Sequence, residues 1–366
     1  MILTINAGSS SLKYAVFDAD LAQLLEGLIE ELAEGAHQRA IEQVVRQLRE
    51  RGLDSDITVV AHRVVHGGSR FRSPTRIDNE VGRAIEAIAP LAPLHNPANL
   101  QGIRLARAAF PKARHVAVFD TAFHATLPEH AYRYAVPSYW YEQHAVRKYG
   151  FHGTSHAYVS GVACAVLAKA DLPCQKLVTL HLGNGCSAAA IQDGRCMDTT
   201  MGLTPLAGLM MGTRSGNIDP GISAYLAREG IEVGVQETQL NKASGLKAIA
   251  GDNDMRTLLA RRATGDEQAR LAVAMFVYRI IKTVGAYAAV LGGLDGLVFT
   301  AGIGENSDQI REEVCEGLAF LGIRLSAKLN RERSADARLI SEGECAVMVV
   351  PTDEERAMAK QAVALA

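Results

Sequence analysis

The chain has 366 residues, of which 48% are hydrophobic and 21% charged, and its formal net charge is -2 at pH 7. This length predicts two domains, each large enough to bury its own core. A charge so close to neutral excludes a general attraction to nucleic acid or to anionic lipid, so any anion must be bound at a local site. The six cysteines show neither a C-x-x-C pair nor zinc-ligand spacing, which favours free thiols in a reducing compartment.

Nothing in the sequence predicts a signal peptide or a membrane span. Residues 1–6 form a short apolar run without the basic and cleavage regions of a secretory signal. The apolar stretch 271–291 is interrupted by Arg279 and Lys282, and the stretch 346–350 is too short to cross a bilayer. We therefore expect a cytoplasmic protein with no membrane partner.

The first half alternates short apolar runs with polar stretches of helical periodicity, which is typical of an α/β domain. A turn rich in glycine and serine joins the first two runs. The predicted elements are strands at 2–6 and 13–17, a helix at 36–51, a strand at 57–60, a helix at 96–110 and a buried strand at 115–119 that ends on Asp120.

The second half repeats this pattern, so we expect two α/β domains facing a cleft. An Asn-Gly turn again joins two apolar runs. The predicted elements are strands at 176–182 and 187–191, a strand at 293–301 followed by a helix to about residue 321, a strand at 346–350 and a terminal helix.

Two strand–turn–strand motifs carry groups suited to polyphosphate. Residues 6–13 (NAGSSSLK) combine backbone N–H groups, hydroxyls and Lys13, although the spacing is not that of a Walker A loop. An ordinary hairpin turn explains this motif equally well. Residues 181–185 (HLGNG) taken alone favour a hairpin, because Asn-Gly is a strong hairpin signal. The occurrence of the same device twice, each time after a buried strand, favours phosphate binding.

A third glycine motif, residues 299–307 (FTAGIGENS), follows a predicted strand. Glycine at a strand–helix junction lets a ligand approach the backbone and the helix N-terminus. Ser307 stands where a dinucleotide-binding fingerprint requires glycine, so a Rossmann site is disfavoured.

Basic and acidic side chains also stand singly at strand ends and in loops, where active sites are usually found. Any one of them is more often an ordinary surface or supporting residue. Together they provide arginines for anionic charge, carboxylates for Mg²⁺ and imidazoles, which are the groups that phosphoryl transfer needs. They are Arg63, His66, His95, Asp120, His152, Arg214 and Glu354.

With these motifs, the chain resembles the acetate kinase family, including propionate kinases, within the superfamily of actin, heat-shock chaperone ATPases and sugar kinases. The resemblance extends from residue 2 to the terminal helix. Its blocks, in family order, are NAGSSSLK, HRVVHGG, LAPLHNP, VFDTAFH, YGFHGTSH, HLGNG with DTTMGLTPLAGLMMGTRSG, and FTAGIGENS.

The resemblance implies an α/β fold of two actin-like (ribonuclease H-like) domains, with mixed sheets flanked by helices around a central cleft. The implied N-terminal domain comprises residues 1–121 plus 356–366, and the C-terminal domain, with the nucleotide site, comprises 122–355. The segment between Phe17 and Ile57 is shorter than in typical members, so part of the usual N-terminal sheet is expected to be missing. Two further departures are Asn217, where an acidic residue is common, and Asp353, where asparagine is common.

The resemblance also implies roles for individual residues. Arg63 would bind the substrate carboxylate, Asp120 is the active-site carboxylate, and His152 and Arg214 would stabilise the transition state. The implied pocket for the methyl group of the acid consists of Val65, Leu94, Phe151 and Pro205.

The nucleotide and its metal ion have implied ligands of their own. Asn6 and Glu354 would hold Mg²⁺, with Mn²⁺ as an alternative, and Lys13 would contact phosphate. The other residues implied in binding ATP or ADP are His181, Leu182, Gly183, Asn184, Gly185, Asp254, Met255, Arg256, Gly302, Ile303, Gly304, Glu305 and Asn306.

The implied reaction is reversible transfer of the ATP γ-phosphoryl group to acetate or another short-chain carboxylate, in line and without a phosphoenzyme, by a homodimer. A propionate kinase is the nearest alternative, although Val65 is bulkier than the alanine that would open the acid pocket. An actin- or chaperone-like ATPase is a more distant alternative, because it needs neither Arg63 nor an acid pocket.

Overall fold

The structure is a computed structural model that describes residues 1–8, 11–30, 37–93 and 95–365. The predicted pocket residue Leu94 lies outside the described residues. Two compact units are present, one made of Met1–Ala125, Phe151–Tyr158 and Asp353–Ala366, the other of Thr126–Gly150 and Val159–Thr352. Segments 122–125, 151–158 and 353–355 are grouped here with the first unit, whereas the sequence-based boundaries assigned them to the C-terminal domain. Those domain boundaries stay a prediction.

Each unit is built on one six-stranded sheet. The strands are β1 (Ile2–Ala7), β2 (Leu12–Phe17), β3 (Gln23–Ile29), β4 (Val59–Val64), β5 (Thr75–Arg76), β6 (Arg114–Phe119), β7 (Lys176–Leu182), β8 (Cys186–Gln192), β9 (Arg195–Thr199), β10 (Gly296–Thr300), β11 (Arg338–Leu339) and β12 (Ala346–Val349).

The helices surround these sheets, together with short 3₁₀ turns at Asp54–Asp56, Ala89–Leu91, Phe123–Thr126 and Ala319–Leu321. They are α1 (His37–Glu50), α2 (Asn79–Ala87), α3 (Asn96–Ala109), α4 (Glu129–Tyr132), α5 (Ser138–His144), α6 (Gly153–Lys169), α7 (Gly221–Arg228), α8 (Val233–Lys242), α9 (Gly245–Ala250), α10 (Met255–Ala263), α11 (Glu267–Leu291), α12 (Ala301–Asn306), α13 (Asp308–Glu316), α14 (Ala327–Arg331) and α15 (Glu354–Val363).

The first sheet has the order β3-β2-β1-β4-β6-β5. Strand β1 pairs antiparallel with β2 and parallel with β4, and β4 pairs parallel with β6. The carboxyl ends of β1, β4 and β6 therefore lie at one edge of the sheet, where parallel α/β sheets usually carry their ligands. This arrangement brings the residues at the ends of these three strands close to one another.

Both faces of the first sheet are covered, because successive strand side chains point to opposite sides. On one face, Leu3 and Ile5 pack with Val44 and Leu48 of α1. On the other face, α15 packs its Met358 against buried strand residues. Helix α15 begins at Glu354, so its packing fixes that carboxylate relative to the sheet.

The second sheet has the order β11-β12-β10-β7-β8-β9 and is also mixed. Strand β10 is parallel to β7 and β12, and β7 forms an antiparallel hairpin with β8. Helix α11 is, by length and composition alone, apolar enough to cross a membrane, but a core helix passes the same test. It buries Phe276 and Ile280 inside the second unit.

The predicted α/β class, with mixed sheets flanked by helices, is confirmed. Several details differ from the sequence-based prediction, since β5, β9, β11 and many of the helices were not predicted. Strand β3 was not predicted, and it forms one edge of the first sheet. The predicted helix after residue 304 is wrong in its boundaries, because Gly302 and Gly304 lie inside the short helix α12. This helix stops at Ser307, whose hydroxyl caps α13.

Candidate functional site

A buried ion pair stands at the carboxyl edge of the first sheet. Arg63 lies on β4, and Asp120 directly follows β6, where its backbone N–H donates to the Val64 carbonyl at 3.0 Å. Arg63 donates from Nε to both oxygens of Asp120, at 3.0 and 3.1 Å, and from Nη2 to Oδ2 at 2.6 Å. Asp120 is only 1% exposed. Both predicted catalytic groups are therefore held in one fixed, bidentate geometry.

Further carboxylates surround this pair. Burial by itself lowers the pKa of Arg63, but the carboxylates of Asp120 and Glu354 outweigh it and raise the pKa, so the guanidinium stays charged. Burial raises the pKa of Glu354; Arg63 opposes the rise, while Asp120 and Glu355 add to it. Lys13 pairs with Glu355 at 2.8 Å. The three carboxylates are those of Asp120, Glu354 and Glu355, and the two cations are Arg63 and Lys13. One negative charge is therefore left in excess.

This excess fits a divalent cation. The described residues contain no group of three or more histidine, cysteine, aspartate or glutamate side chains placed to hold a metal by themselves. Mg²⁺, however, prefers oxygen ligands and is usually bound by one or two carboxylates together with waters and substrate phosphates. Glu354, with the half-buried Asn6 of β1 as the predicted second ligand, has the required donor chemistry.

The described residues of the predicted acid pocket belong to different units. Val65 and Phe151 are buried in the first unit, where the Phe151 ring meets His66 edge-to-face at 5.5 Å. Pro205 belongs to the second unit. Two of the four predicted pocket residues, Val65 and Phe151, therefore belong to the same unit as the Arg63–Asp120 pair.

Two buried asparagines that the sequence did not point to hold this edge together. The Asn99 side chain accepts from the N–H of Val65 at 3.0 Å and donates to the Ala7 carbonyl at 2.7 Å. Asn96 accepts from the N–H of His66 at 3.1 Å and donates to its carbonyl at 3.0 Å. The only sequence signal was their spacing of three residues on one helix, which puts both side chains on the same face.

His152 has a backbone conformation that is uncommon for a residue with a side chain, with φ of 56°. It is followed by Gly153, the first residue of α6, whose N–H donates to the Asp120 carbonyl at 2.9 Å. Strain of this kind persists where the surroundings fix it, and it is often found at functional sites. The predicted catalytic histidine is thus tied by its neighbour to the predicted catalytic aspartate.

The second unit contains a cavity of about 570 Å³ that brings three predicted nucleotide-binding segments together. Predicted residues that line it are Gly183, Asn184, Asp254, Met255, Arg256, Gly302, Ile303 and Asn306, and lining residues that were not predicted are Asn253, Leu259, Ser307, Asp308, Gln309 and Arg333. Five predicted residues stand beside the cavity without lining it, namely His181, Leu182, Gly185, Gly304 and Glu305.

Hydrogen bonds fix the cavity walls. The Asn184 side chain accepts from Asn253 at 3.0 Å, which joins the hairpin turn to the segment before α10. Asp254 caps α10 and binds Arg256 through Nη2 at 2.6 Å. Hydrogen bonds from the Arg256 side chain and backbone lower the pKa of Asp254 to about 2, so this carboxylate is charged at neutral pH.

Glu305 is directed inward rather than into the cavity. Its Oε1 accepts from the backbone N–H of Ala301 at 2.7 Å and from that of Thr352 at 3.0 Å. Ala301 has φ of 63°, so this bond secures an uncommon conformation at the start of α12. The side chain of Arg311 also supports α12, because its Nη1 donates to the carbonyls of Gly304 and Glu305, both at 2.9 Å.

Arg311 is buried and binds only neutral oxygens among the residues described. Besides the two carbonyls of α12, it donates to the Asn330 side chain at 2.7 Å and to the Asn330 carbonyl at 2.6 Å. Burial lowers its pKa to about 10, which still leaves it charged at neutral pH. Neither Arg311 nor Asn330 was singled out from the sequence.

Arg214, the second predicted catalytic arginine, lies in the second unit. Its Nη1 donates to the carbonyl of Pro205 at 3.2 Å, so the last predicted pocket residue and this arginine are neighbours. Burial lowers the pKa of Arg214, and the Cys186 thiol partly opposes this effect.

The comparisons with known proteins point to one family. The model of the acetokinase family matches residues 29–360. An acetate kinase from Pseudarthrobacter chlorophenolicus is 50% identical, and the match covers 100% of this chain and 99% of that protein. An acetate kinase from Deinococcus radiodurans is 47% identical, with 98% of this chain and 96% of that protein covered.

Solved structures agree with the sequence matches. The Porphyromonas gingivalis acetate kinase superposes with a TM-score of 0.93 at 40% identity, covering 100% of this chain and 99% of the other. A propionate kinase from Francisella tularensis gives a TM-score of 0.93 at 40% identity, with 99% of both chains covered. Since a family model matches most of its length and relatives near 50% identity match all of it, the chain belongs to the acetokinase family.

Proposed function

We propose that this chain transfers the γ-phosphoryl group of ATP to acetate, giving acetyl phosphate and ADP, and that it also catalyses the reverse reaction. The observation that carries the proposal is the full-length similarity, at 50% identity, to a protein named acetate kinase. The buried pair of Arg63 and Asp120 supports it, because these are the groups assigned to the acid and to the reacting centre.

The chemistry needs charge control more than a base. A carboxylate is already an anionic nucleophile at neutral pH, so the main obstacle is the approach of two anions. Arg63 commits Nε and Nη2 to Asp120, and within the described chain Nη1 has no hydrogen-bond partner. We assign Nη1 to the acetate carboxylate, and Arg214 and His152 to the transferring phosphoryl group. Preorganised donors of this kind stabilise the charge that develops in the transition state.

Transfer is direct in this proposal. An acetate oxygen attacks the γ-phosphorus while the bond to the β,γ-bridging oxygen breaks, and that oxygen leaves on ADP with the electron pair. No residue of the chain becomes phosphorylated. Asp120 holds Arg63 in position and is itself held by the Gly153 N–H.

The nucleotide is assigned to the cavity of about 570 Å³ in the second unit. Adenosine would lie against α12 and the start of α10, and the phosphates at the turn of residues 183–185. Glu354 and Asn6 would hold Mg²⁺, or Mn²⁺ with similar oxygen ligands, and Lys13 would contact phosphate. When bound, the ion supplies positive charge to the phosphate oxygens.

Propionate is the alternative substrate. The support is that the Francisella tularensis protein named propionate kinase is as similar in structure as the Porphyromonas gingivalis acetate kinase. One methylene in an apolar pocket changes specificity by only about 1–3 kcal/mol, so turnover of both acids is consistent with the site. Buried Val65 favours the shorter acid.

The test is the capture of acyl phosphate. Protein, Mg-ATP and acetate are incubated with hydroxylamine, and hydroxamate is measured alongside ADP. Hydroxamate and ADP in equal amounts are expected, with acetate preferred over formate, propionate and butyrate. ADP without hydroxamate would instead identify an ATPase of the actin or chaperone type.

We also propose a cytoplasmic homodimer. None of the six cysteines is in a disulfide. In the second unit, α7, α8 and α11 each expose a large apolar or aromatic side chain, namely Tyr225, Val233 and Tyr278, and such exposed groups suit contact with a second copy of the chain. Size-exclusion chromatography with light scattering tests the assembly, and a monomer at micromolar concentration would contradict it.

A further inference from the structure

A second cavity in the first unit lies at the amino end of β6, away from the Arg63–Asp120 pair. Its volume is about 490 Å³, and it is bounded by β5, the end of α3 and the start of β6. From His115, which lines it, β6 runs five residues to Asp120, or roughly 17 Å at the usual rise of a strand. The cavity is therefore a separate feature of this unit.

Three arginines from three different elements line this cavity, namely Arg76 of β5, Arg107 of α3 and Arg114 of β6. The residues described as lining it include no carboxylate. Arg104, which is on the same helix as Arg107, does have a carboxylate partner, because it pairs with Glu86 at 3.0 Å.

Within the described chain, none of the three cavity arginines has a carboxylate within ion-pair distance. Arg107 donates only to the neutral side chain of Asn79, at 3.3 Å. The nearby carboxylate of Asp78 is used to cap α2, where it accepts from the Val81 N–H at 2.8 Å. That hydrogen bond, more than the charge of Arg107, lowers the pKa of Asp78. Among the described residues, the positive charge of the cavity is thus left without a carboxylate in ion-pair contact.

His115, the histidine described as lining the cavity, is uncharged and cannot attract an anion. His115 is buried, its Nδ1 lies 3.0 Å from Nε2 of His62, and its Nε2 lies 3.1 Å from the Phe110 carbonyl. Burial lowers the pKa of both histidines, so both are uncharged at neutral pH. The arginines are therefore the groups that can recognise an anion.

We propose that the cavity lined by Arg76, Arg107 and Arg114 binds a small phosphate-bearing molecule. Guanidinium groups present planar pairs of N–H donors that match phosphate oxygens. Three guanidinium groups from three elements suit the three terminal oxygens of one phosphoryl dianion better than the two-oxygen carboxylates of an acid of the same charge. The volume exceeds that of a phosphate ion, and Ile77, Ala108 and Pro111 supply apolar contacts for an organic part. The ligand class is a phosphate ester, and this inference does not depend on the proposed kinase activity.

Isothermal titration calorimetry on the full chain, with the nucleotide site saturated by ADP, tests the proposal. The probes are ribose 5-phosphate, pyrophosphate, inorganic phosphate and, as a carboxylate, malate. We expect ribose 5-phosphate to bind most tightly, malate to bind at least tenfold more weakly, and all binding to weaken as salt rises. The double variant Arg76→Gln/Arg114→Gln should lose at least tenfold in affinity.

Matched variants decide where the probe binds. Arg104→Gln removes one charge from α3 outside the cavity and should leave affinity unchanged, as should Arg63→Gln. An unchanged circular dichroism spectrum and melting temperature would show that the double variant folds, and if it does not fold, Arg107→Gln replaces it. The proposal is overturned if no phosphate probe binds at millimolar concentration, if the cavity variants bind as tightly as wild type, or if malate matches ribose 5-phosphate.

Discussion

Gly153 approaches Asp120 so closely that no side chain fits between them. An ideal Cβ on Gly153 would lie 2.1 Å from the Asp120 carbonyl oxygen and 3.1 Å from the Cβ of Phe123. Because the obstructing atom is backbone, a side chain at position 153 must displace either the start of α6 or Asp120 itself.

Replacement of this glycine by alanine is therefore expected to damage both stability and activity. We expect Gly153→Ala to cost about 1–3 kcal/mol of unfolding free energy, which is the usual range for overpacking. We also expect kcat to fall at least tenfold, because Asp120 moves relative to Arg63. The matched control is Gly161→Ala in the same helix, where an added Cβ meets nothing within 4 Å. Urea unfolding should show the control unchanged or up to about 1 kcal/mol more stable.

Removal of the Asp120 charge tests the ion pair itself. Asp120→Asn keeps the shape of the side chain but cannot hold both Nε and Nη2 of Arg63 as the carboxylate does. We expect kcat to fall by about 100-fold or more, a range found when one preorganised group is lost. Asp54→Asn removes the carboxylate of the exposed pair with Arg49 and should leave activity within twofold. Near-normal activity in Asp120→Asn would refute its assignment.

The Glu354 carboxylate predicts an unusual dependence of stability on pH. Its pKa in the folded chain is raised above the ordinary value of 4.5, so the unfolded chain gives up this proton first as pH rises. The contribution of Glu354 to stability is therefore present below about pH 4.5 and is lost as pH rises through the raised pKa. Without Mg²⁺, Glu354→Gln should melt at a higher temperature than wild type at pH 8, and the difference should vanish near pH 4.

The same variant tests metal binding. Added Mg²⁺ should raise the melting temperature of wild type at pH 8, since a ligand stabilises the state that binds it, and should have less effect on Glu354→Gln. Glu237→Gln, on the exposed face of α8, serves as the control for both measurements. A Glu354→Gln protein that melts lower than wild type at pH 8 would contradict the electrostatic argument.

Arg311 should matter for nucleotide affinity although it lines no part of the cavity. Arg311→Met leaves the carbonyls of Gly304 and Glu305 without their donor, and each buried acceptor left unsatisfied costs about 1–3 kcal/mol. We expect a lower melting temperature and a KM for ATP that rises several-fold while the KM for acetate is unchanged. Arg324→Met, at an exposed position, is the control. Equal changes in both KM values would indicate a general loss of structure instead.

Substrate choice should depend on Val65. Val65→Ala enlarges the predicted acid pocket, so the ratio of kcat/KM for propionate to that for acetate should rise about tenfold, as expected for one methylene. Val60→Ala removes the same atoms from a buried position of β4 in the hydrophobic core and should lower stability without changing the ratio. An unchanged ratio in Val65→Ala would place the methyl group elsewhere.

Regular alternation and apolar runs were sufficient to predict eight of the described strands, whereas most of the helices, among them α2 and α6, were not predicted. Strands β1, β6 and β7 follow their predictions within about one residue, because each is a buried apolar run with clear turn residues beside it. Strand β3 was not predicted because it is an edge strand with exposed Leu24 and Leu28. Its residues therefore lack the pattern of a buried strand. The break at Ser307 depends on a capping bond to the Ile310 N–H at 3.3 Å, which has no periodic signal.

For the candidate site, the sequence pointed to residues within short local motifs but not to the residues that contact them from distant segments. Glycine turns and charged residues at strand ends pointed to Arg63, Asp120 and the residues around Asn184, and their roles stay predictions. Partners supplied by distant segments were not identifiable, because their spacing in the sequence is set by the fold. Asn99 contacts Ala7 across 92 positions, and Glu355 meets Lys13 only because α15 returns to the first sheet.

The amide of Asn99 binds the backbone at the ends of two strands at once, at Ala7, the last residue of β1, and at Val65, directly after β4. Its orientation is unambiguous, because one partner is an acceptor and the other a donor. In protein engineering terms, α3, which carries Asn99, is therefore a poor place for insertions. A change of length there would shift both strand ends together, and with them the backbone beside Asn6 and Arg63.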